Sequence, residues 1–179
     1  MTEDIKEILL TEEEILNRIK EMGKAISKDY EGKNLVVVGI LKGSVIFASE
    51  LIKNITIPCE IDFMAVSSYG SSSETSGVVR ILKDLDHGIE EKDIIIVEDI
   101  IDSGVTLDYL LKYLKARKAN SIEIVTLLTK PSRRMVDINA KYCGFEVPDE
   151  FLVGYGLDYA EKYRNLPYVG ILKEEVYKK

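Results

Sequence analysis

The chain has 179 residues, with 31 acidic against 24 basic side chains, a formal charge of −7 and a single histidine. A chain of this length is expected to form one domain, residues 1–179, with a full hydrophobic core. The acidic balance argues against nucleic acid or an anionic membrane surface as a partner. One histidine and two isolated cysteines, Cys59 and Cys143, do not supply the usual ligands of a zinc site. These counts favour an enzyme that acts on a small molecule.

The cysteines also indicate the cellular compartment. Two cysteines with no pairing pattern, in a chain without an evident secretory leader, predict a reducing, cytoplasmic environment. The longest apolar runs, such as Leu35 to Leu41, are far shorter than the roughly 20 residues of a membrane helix.

Strands and helices are predicted to alternate along the chain. Thr11 to Glu14 has the pattern of a capping box, and the helix that it opens ends by Gly32. Further helices are predicted at 44–53, from the end of the polar turn near 103 to Leu114, and at 136–140. Strands are predicted at 35–41, 61–65, 78–82, 93–97, 122–128, 151–153 and 169–172.

This alternation predicts an α/β fold with a mostly parallel, twisted central sheet flanked by helices. Several of the strands are continuously apolar and β-branched, which is typical of strands buried on both faces of a parallel sheet. Ligands of such sheets bind at the carboxyl ends of the strands. The turns that follow the strands are therefore the places to look for function.

The most informative turn follows the strand at 93–97. Residues 97–106 read Val-Glu-Asp-Ile-Ile-Asp-Ser-Gly-Val-Thr and lead into a helix. Its second half places small and hydroxyl residues at the helix N-terminus, where free N–H groups and the helix dipole attract phosphate. Glu98 and Asp99 are hard oxygen donors suited to Mg²⁺ or to ribose hydroxyls. A simple helix cap with two solvated acids is the alternative, but the combination favours a site for a sugar phosphate.

Residues 97–106 resemble the phosphoribosyl diphosphate (PRPP) binding motif of the type I phosphoribosyltransferases. From Leu41 to Leu172 the chain is similar to the bacterial hypoxanthine-guanine branch of that family. The resemblance implies that fold, with a small hood formed by segments near the two termini. It also implies Mg²⁺-dependent transfer of the 5-phosphoribosyl group from PRPP to hypoxanthine or guanine, giving IMP or GMP and diphosphate. The resemblance further implies a homodimer or homotetramer.

The resemblance also implies roles for individual residues. Asp102 is the general base, and a flexible loop at about 67–77, with Ser68 and Tyr69, closes over the substrates. The ammonium of Lys130 donates to the 6-oxo group of the purine, which selects hypoxanthine or guanine because the amino group of adenine is a donor instead. PRPP is bound by Lys42, Gly43, Asp102, Ser103, Gly104, Val105, Thr106 and Arg164, the purine by Lys130, Phe151, Leu152 and Asp158, and the metal by Glu98, Asp99 and Asp158.

Other interpretations of these residues remain open. Taken alone, Lys42-Gly43 is compatible with a plain polar turn, Lys130 with a solvated loop lysine, Phe151 with core packing, and 67–77 with a hairpin loop. An RNA-binding regulator that keeps the motif only as a nucleotide sensor is a second function class, which the acidic balance disfavours. An enzyme that prefers xanthine or adenine is a third possibility.

Overall fold

A computed structural model of the chain describes residues 1–68 and 79–178, with the backbone alone for Ser68. The strands in this part of the chain are β1 (Ile5–Leu10), β2 (Leu35–Leu41), β3 (Cys59–Ser68), β4 (Val79–Lys83), β5 (Asp93–Ile101), β6 (Ser121–Thr129), β7 (Tyr142–Glu146), β8 (Leu152–Val153) and β9 (Val169–Leu172). The α-helices are α1 (Glu12–Asp29), α2 (Val45–Lys53), α3 (Val105–Lys115) and α4 (Glu174–Tyr177). Short 3₁₀ turns lie at Thr2–Asp4 and Pro131–Arg133.

Six strands form the central sheet in the order β4-β3-β2-β5-β6-β7. All neighbours are parallel except β4, which is antiparallel to β3. The apolar, β-branched strand β2 is buried along six of its seven residues, as expected of a strand covered on both faces. The parallel strands end at one edge, where residues 42–44, 102–104 and 130–133 continue the chain. The prediction of a mostly parallel sheet flanked by helices is confirmed.

The helices cover the two faces of this sheet. Thr11 Oγ1 accepts from the Glu14 amide at 3.3 Å, and Glu14 Oε2 accepts from the Thr11 amide at 2.8 Å, so the capping box that begins α1 is confirmed. Apolar residues of α1 and α2 pack on one face of the sheet, and Leu107, Leu110 and Leu114 of α3 pack on the other. No helix in the part of the chain described above is long and apolar enough to span a membrane.

A second, smaller sheet joins segments near the two termini. Its order is β1-β9-β8, all antiparallel, with Ile5 opposite Leu172 and Val153 opposite Gly170. A separate apolar cluster supports it, which we call the hood cluster: Val153, Tyr163, Leu166 and Leu172. This arrangement is the expected hood.

Some local predictions are wrong. The segment 136–140 is not helical, because Arg134 Nη1 donates to the Ile138 carbonyl at 2.7 Å and the Met135 amide donates to the Ser103 carbonyl at 2.9 Å. The Ile138 carbonyl accepts from a side chain four residues away, and the Met135 amide pairs with a distant segment, so neither group enters a helical ladder. Strand β5 does not end at 97 but continues to Ile101, so Glu98 and Asp99 lie on the strand. Strands β1 and β7 and helix α4 were not predicted.

Candidate active site

The turn after β2 contacts the end of β5. The Leu41–Lys42 peptide bond is cis. A Cβ on Gly43 would lie 1.9 Å from Asp99 Oδ2, so only glycine fits while that carboxylate keeps its place. The Lys42 side chain is largely exposed, and its Nζ lies 2.9 Å from Glu161 Oε2. Glycine at 43 therefore allows the predicted diphosphate loop to lie closer to an acidic side chain than any other residue could.

The turn after β5 forms the wall of a pocket of about 220 Å³. Gly104 has a φ of +82°, a conformation that glycine adopts readily, and it precedes the first residue of α3, Val105. The pocket is lined by Glu98, Asp102, Ser103, Gly104 and Thr106, together with apolar side chains including Ile40, Val66 and Leu107. The structure thus brings most of the predicted phosphate-binding turn together at the N-terminus of an eleven-residue helix.

The two neighbouring acids of β5 face different pockets. Glu98 lines the pocket of about 220 Å³, whereas Asp99 and Asp158 line a larger one of about 570 Å³. This division follows from the strand, where successive side chains point to opposite faces. In the described ranges, no group of three or more histidine, cysteine, aspartate or glutamate side chains is gathered closely enough to hold a metal ion. Of the predicted metal ligands, Asp99 and Asp158 therefore share one pocket, and Glu98 lies in the other.

Both acids are in surroundings that disfavour their charge. Burial raises the pKa of Asp99 to about 6, with Asp158 adding to the rise and the Arg164 guanidinium opposing it. Burial, reinforced by the charge of Asp99, raises the pKa of Glu98 well above its ordinary value. A partly buried carboxylate of this kind is stabilised by a nearby cation. The donor set, oxygen atoms only, fits a hard divalent cation such as Mg²⁺.

The larger pocket collects the residues predicted to contact a purine. Lys130, Phe151, Leu152 and Asp158 line it, and Asp102 lines both pockets. Lys130 is only 7% exposed, so the interpretation as a solvated loop lysine is wrong. Its Nζ donates to the Glu150 carbonyl at 2.7 Å, and burial lowers its pKa. A buried ammonium with further hydrogens to donate and an aromatic ring therefore line the same cavity.

Arg133 is a residue of this pocket that the sequence reasoning missed. Its Nε lies 2.7 Å from Asp102 Oδ1, and its Nη1 lies 3.3 Å from Asp149 Oδ1. The 3₁₀ turn that Pro131 begins brings Arg133 back to the same side as Lys130, because residues three apart eclipse in such a turn. The Pro-Ser-Arg sequence after Lys130 is the local pattern that could have indicated this turn. The candidate general base is therefore ion-paired in this state.

Lys42 and Arg164, both predicted to bind the diphosphate, line neither of these pockets. Arg164 Nη2 lies 3.0 Å from Asp158 Oδ1, and Nη1 donates to the Gly156 carbonyl at 2.8 Å. Arg164 and Lys42 also both approach Glu161, at 3.5 and 2.9 Å. The two cations are thus brought together, but around an acidic side chain of the protein.

The predicted flexible loop lies mostly outside the described residues. Strand β3 ends at Ser68, whose backbone lies opposite Val79. Tyr69 and the rest of the predicted loop to residue 77 are not described. Their role over the substrates stays a prediction.

Residues 6–160 match the phosphoribosyl transferase domain family. The chain is 59% identical over 177 residues to a hypoxanthine-guanine phosphoribosyltransferase from Staphylococcus aureus, covering 99% of each. A crystal structure of a hypoxanthine phosphoribosyltransferase from Staphylococcus aureus has a TM-score of 0.97 at 59% identity and covers 100% of this chain and 97% of its own. A hypoxanthine-guanine phosphoribosyltransferase from Bacillus anthracis has a TM-score of 0.91 at 48% identity, covering 94% and 99%.

Proposed function

Because the chain belongs to the phosphoribosyl transferase family, we propose that it transfers the 5-phosphoribosyl group of PRPP to hypoxanthine or guanine in purine salvage. The products are IMP or GMP and diphosphate. The observation that carries the purine specificity is the buried ammonium of Lys130, in one pocket with Phe151 and Asp102.

Selection of the purine depends on the 6-position. A 6-oxo group accepts hydrogen bonds, whereas a 6-amino group presents donors that the Lys130 ammonium cannot satisfy. Sites that leave a buried polar group unpaired reject the wrong substrate strongly. The Phe151 ring offers a face for stacking, and the backbone of Leu152, which lines the same pocket, would meet the purine edge. These contacts favour hypoxanthine and guanine over adenine.

The phosphate of PRPP fits the turn at 102–106. The backbone N–H groups at the start of α3 and the hydroxyls of Ser103 and Thr106 are donors for its oxygens. Lys42 and Arg164 would bind the diphosphate by exchanging Glu161 for the substrate, since both cations already lie near one anion.

Asp99 and Asp158, which line the larger pocket, would hold Mg²⁺ together with oxygens of PRPP, whereas Glu98, in the other pocket, would meet a separate ion or the ribose hydroxyls. Bound to Asp99 and Asp158, the ion would neutralise charge on the departing diphosphate. The raised pKa of Asp99 and Glu98 supports this assignment, since both carboxylates lack the counter-charge that a divalent cation brings.

The reaction exchanges one bond to the ribose for another. The bond from C1′ to the diphosphate oxygen breaks, and the purine ring nitrogen forms a bond to the same carbon. As that nitrogen donates its electrons, the ring gives up a proton, and Asp102 accepts it as general base. Asp102 lines both pockets, so it lies between the proposed sites of phosphate and base. Release from Arg133 would free its carboxylate for this step.

The experiment that tests the proposal is a spectrophotometric assay of PRPP with hypoxanthine, guanine, xanthine and adenine, each with and without Mg²⁺. Turnover of hypoxanthine and guanine that requires Mg²⁺ is expected. Turnover of adenine at the same rate would refute the role given to Lys130. No turnover with any base would favour the nucleotide-sensing regulator.

The remaining expectations concern assembly and location. We infer a homodimer or homotetramer and a cytoplasmic location, as the family resemblance implies. The cysteines Cys59 and Cys143 are free thiols, which agrees with a reducing compartment. Mass measurement in solution tests the assembly.

A further inference from the structure

The short helix α4 is fixed to the hood. The Lys173 amide donates to the Asp4 carbonyl at 2.9 Å, which ties the start of α4 to the segment before β1. Val176 packs against the hood cluster. The final turn of the described chain therefore has a defined place beside the small sheet.

Tyr177 extends from this helix to the larger pocket. Its ring stacks on Phe151, with ring centroids 4.6 Å apart and planes 26° apart, and both side chains line the pocket. Tyr159 meets Phe151 edge-on, at 5.5 Å and 90°. Stacked and edge-to-face contacts are the favourable geometries of aromatic pairs. Two neighbours at different angles hold the Phe151 ring in one orientation.

The spacing limits where a base can stack. At 4.6 Å between centroids, no third ring fits between Tyr177 and Phe151. A purine in this pocket can use only the surface of Phe151 that Tyr177 leaves open. Tyr177 is then a support behind the stacking ring and not a partner on the far side of the base.

We propose that Tyr177 is a positioning residue for the purine, acting by holding the Phe151 ring in the orientation on which the base stacks. This inference rests on the proposed function. Tyr177 stacks on Phe151, which is assigned to the purine, and does not line the pocket at 102–106, so its loss is expected to affect binding of the base and to leave binding of PRPP unchanged. An aromatic pair of this kind corresponds to about a 3- to 10-fold change in affinity.

Steady-state kinetics on four proteins test this. Tyr177→Ala is expected to raise KM for hypoxanthine about 3- to 10-fold with KM for PRPP unchanged, and Tyr177→Phe, which keeps the ring, should restore the normal value. Val176→Ala is the matched control, because it loosens α4 against the hood cluster without removing the ring. An unchanged KM for hypoxanthine in Tyr177→Ala overturns the proposal. A lowered KM also overturns it, because Tyr177 would then occupy the place of the base.

A fluorescent variant separates this inference from the proposed function. The chain has no tryptophan, so Tyr177→Trp introduces a single reporter. Its emission is expected to change when GMP is added, since the purine stacks on the ring that the reporter contacts. Unchanged emission at saturating GMP would contradict the inference even if the enzyme is active. An emission change with no turnover of any purine would contradict the proposed reaction and leave the placement of Tyr177 supported.

Discussion

Replacing Lys130 with methionine removes one buried charge while nearly conserving the length of the side chain. The ammonium uses one hydrogen on the Glu150 carbonyl, at 2.7 Å, which leaves others for a purine 6-oxo group. A hydrogen bond to a charged group contributes about 1.5–3 kcal/mol, so kcat/KM for hypoxanthine should fall about 10- to 150-fold. Adenine, which cannot accept at this position, should lose nothing. The ratio of the two substrates therefore reports on the ammonium alone.

The assay compares kcat/KM for hypoxanthine and adenine in four proteins. Lys130→Gln keeps an uncharged donor and should show a smaller loss than Lys130→Met. Lys20→Met replaces an exposed lysine of α1 and should leave both substrates unchanged. Thermal unfolding and KM for PRPP show whether the loss of the Glu150 contact has disturbed the fold. Equal losses for hypoxanthine and adenine, or none for hypoxanthine, would refute the reasoning.

Three further predictions follow from single contacts. Asp102→Asn should lower kcat about 10²- to 10⁴-fold in steady-state assays with little effect on KM for PRPP, and normal kcat would remove Asp102 as the base. Gly156→Ala sets a Cβ 2.0 Å from the Gly43 carbonyl at a φ of +102°, whereas at Gly32, with a φ of +73°, a Cβ meets nothing within 4 Å. Urea unfolding should show a loss of about 1–2 kcal/mol for Gly32→Ala and a clearly larger one for Gly156→Ala, and equal losses would be inconsistent with the backbone contact. Tyr30 is 1% exposed and its Oη has no hydrogen-bond partner among residues 1–68 and 79–178, so Tyr30→Phe should raise the free energy of unfolding by about 1 kcal/mol at neutral pH. Burial raises the pKa of Tyr30 in the folded protein to about 12, above the ordinary value of 10.0. The folded state then keeps this proton where the unfolded state loses it, so the resulting contribution to the free energy of unfolding is complete below pH 10.0 and is lost as the pH rises through 12. From neutral pH to about pH 11, the free energy of unfolding should therefore decline less in Tyr30→Phe than in the unsubstituted protein. An equal decline would argue against this account.

The sequence was most informative where all the residues of a binding motif lie in one short segment. Residues 97–106 are contiguous, and the resemblance they carried is confirmed by the family match over residues 6–160. The alternation of buried strands and amphipathic helices similarly predicted the central sheet, because each element shows its own apolar pattern. The hood was expected from the resemblance and is present as β1-β9-β8.

The arrangement of side chains was harder to predict. The polar pair Glu98-Asp99 was assigned to a turn, although β5 stays paired with β6 as far as Ile101, opposite Thr129. Once the strand is extended, its two-residue period sends the acids to opposite faces. The contacts of Arg133 and Tyr177 join segments that are distant in sequence, so a local pattern can indicate a turn, as Pro-Ser-Arg does, but not the partner across the pocket. The pairing of Lys42 with Glu161 is of the same kind.

The pairing of β1 with β9 also sets the order in which the enzyme can be assembled. Ile5 leaves the ribosome well before its partner Leu172, because most of the chain described above lies between them. The strands of the central sheet lie between them in sequence, so they can fold during synthesis while β1 waits for its partner. The turn at 102–106 is then built on an early-forming scaffold, whereas the wall that carries Phe151 closes only after β9 has been synthesised. Truncated chains released before β9 would present a phosphate site without a base pocket.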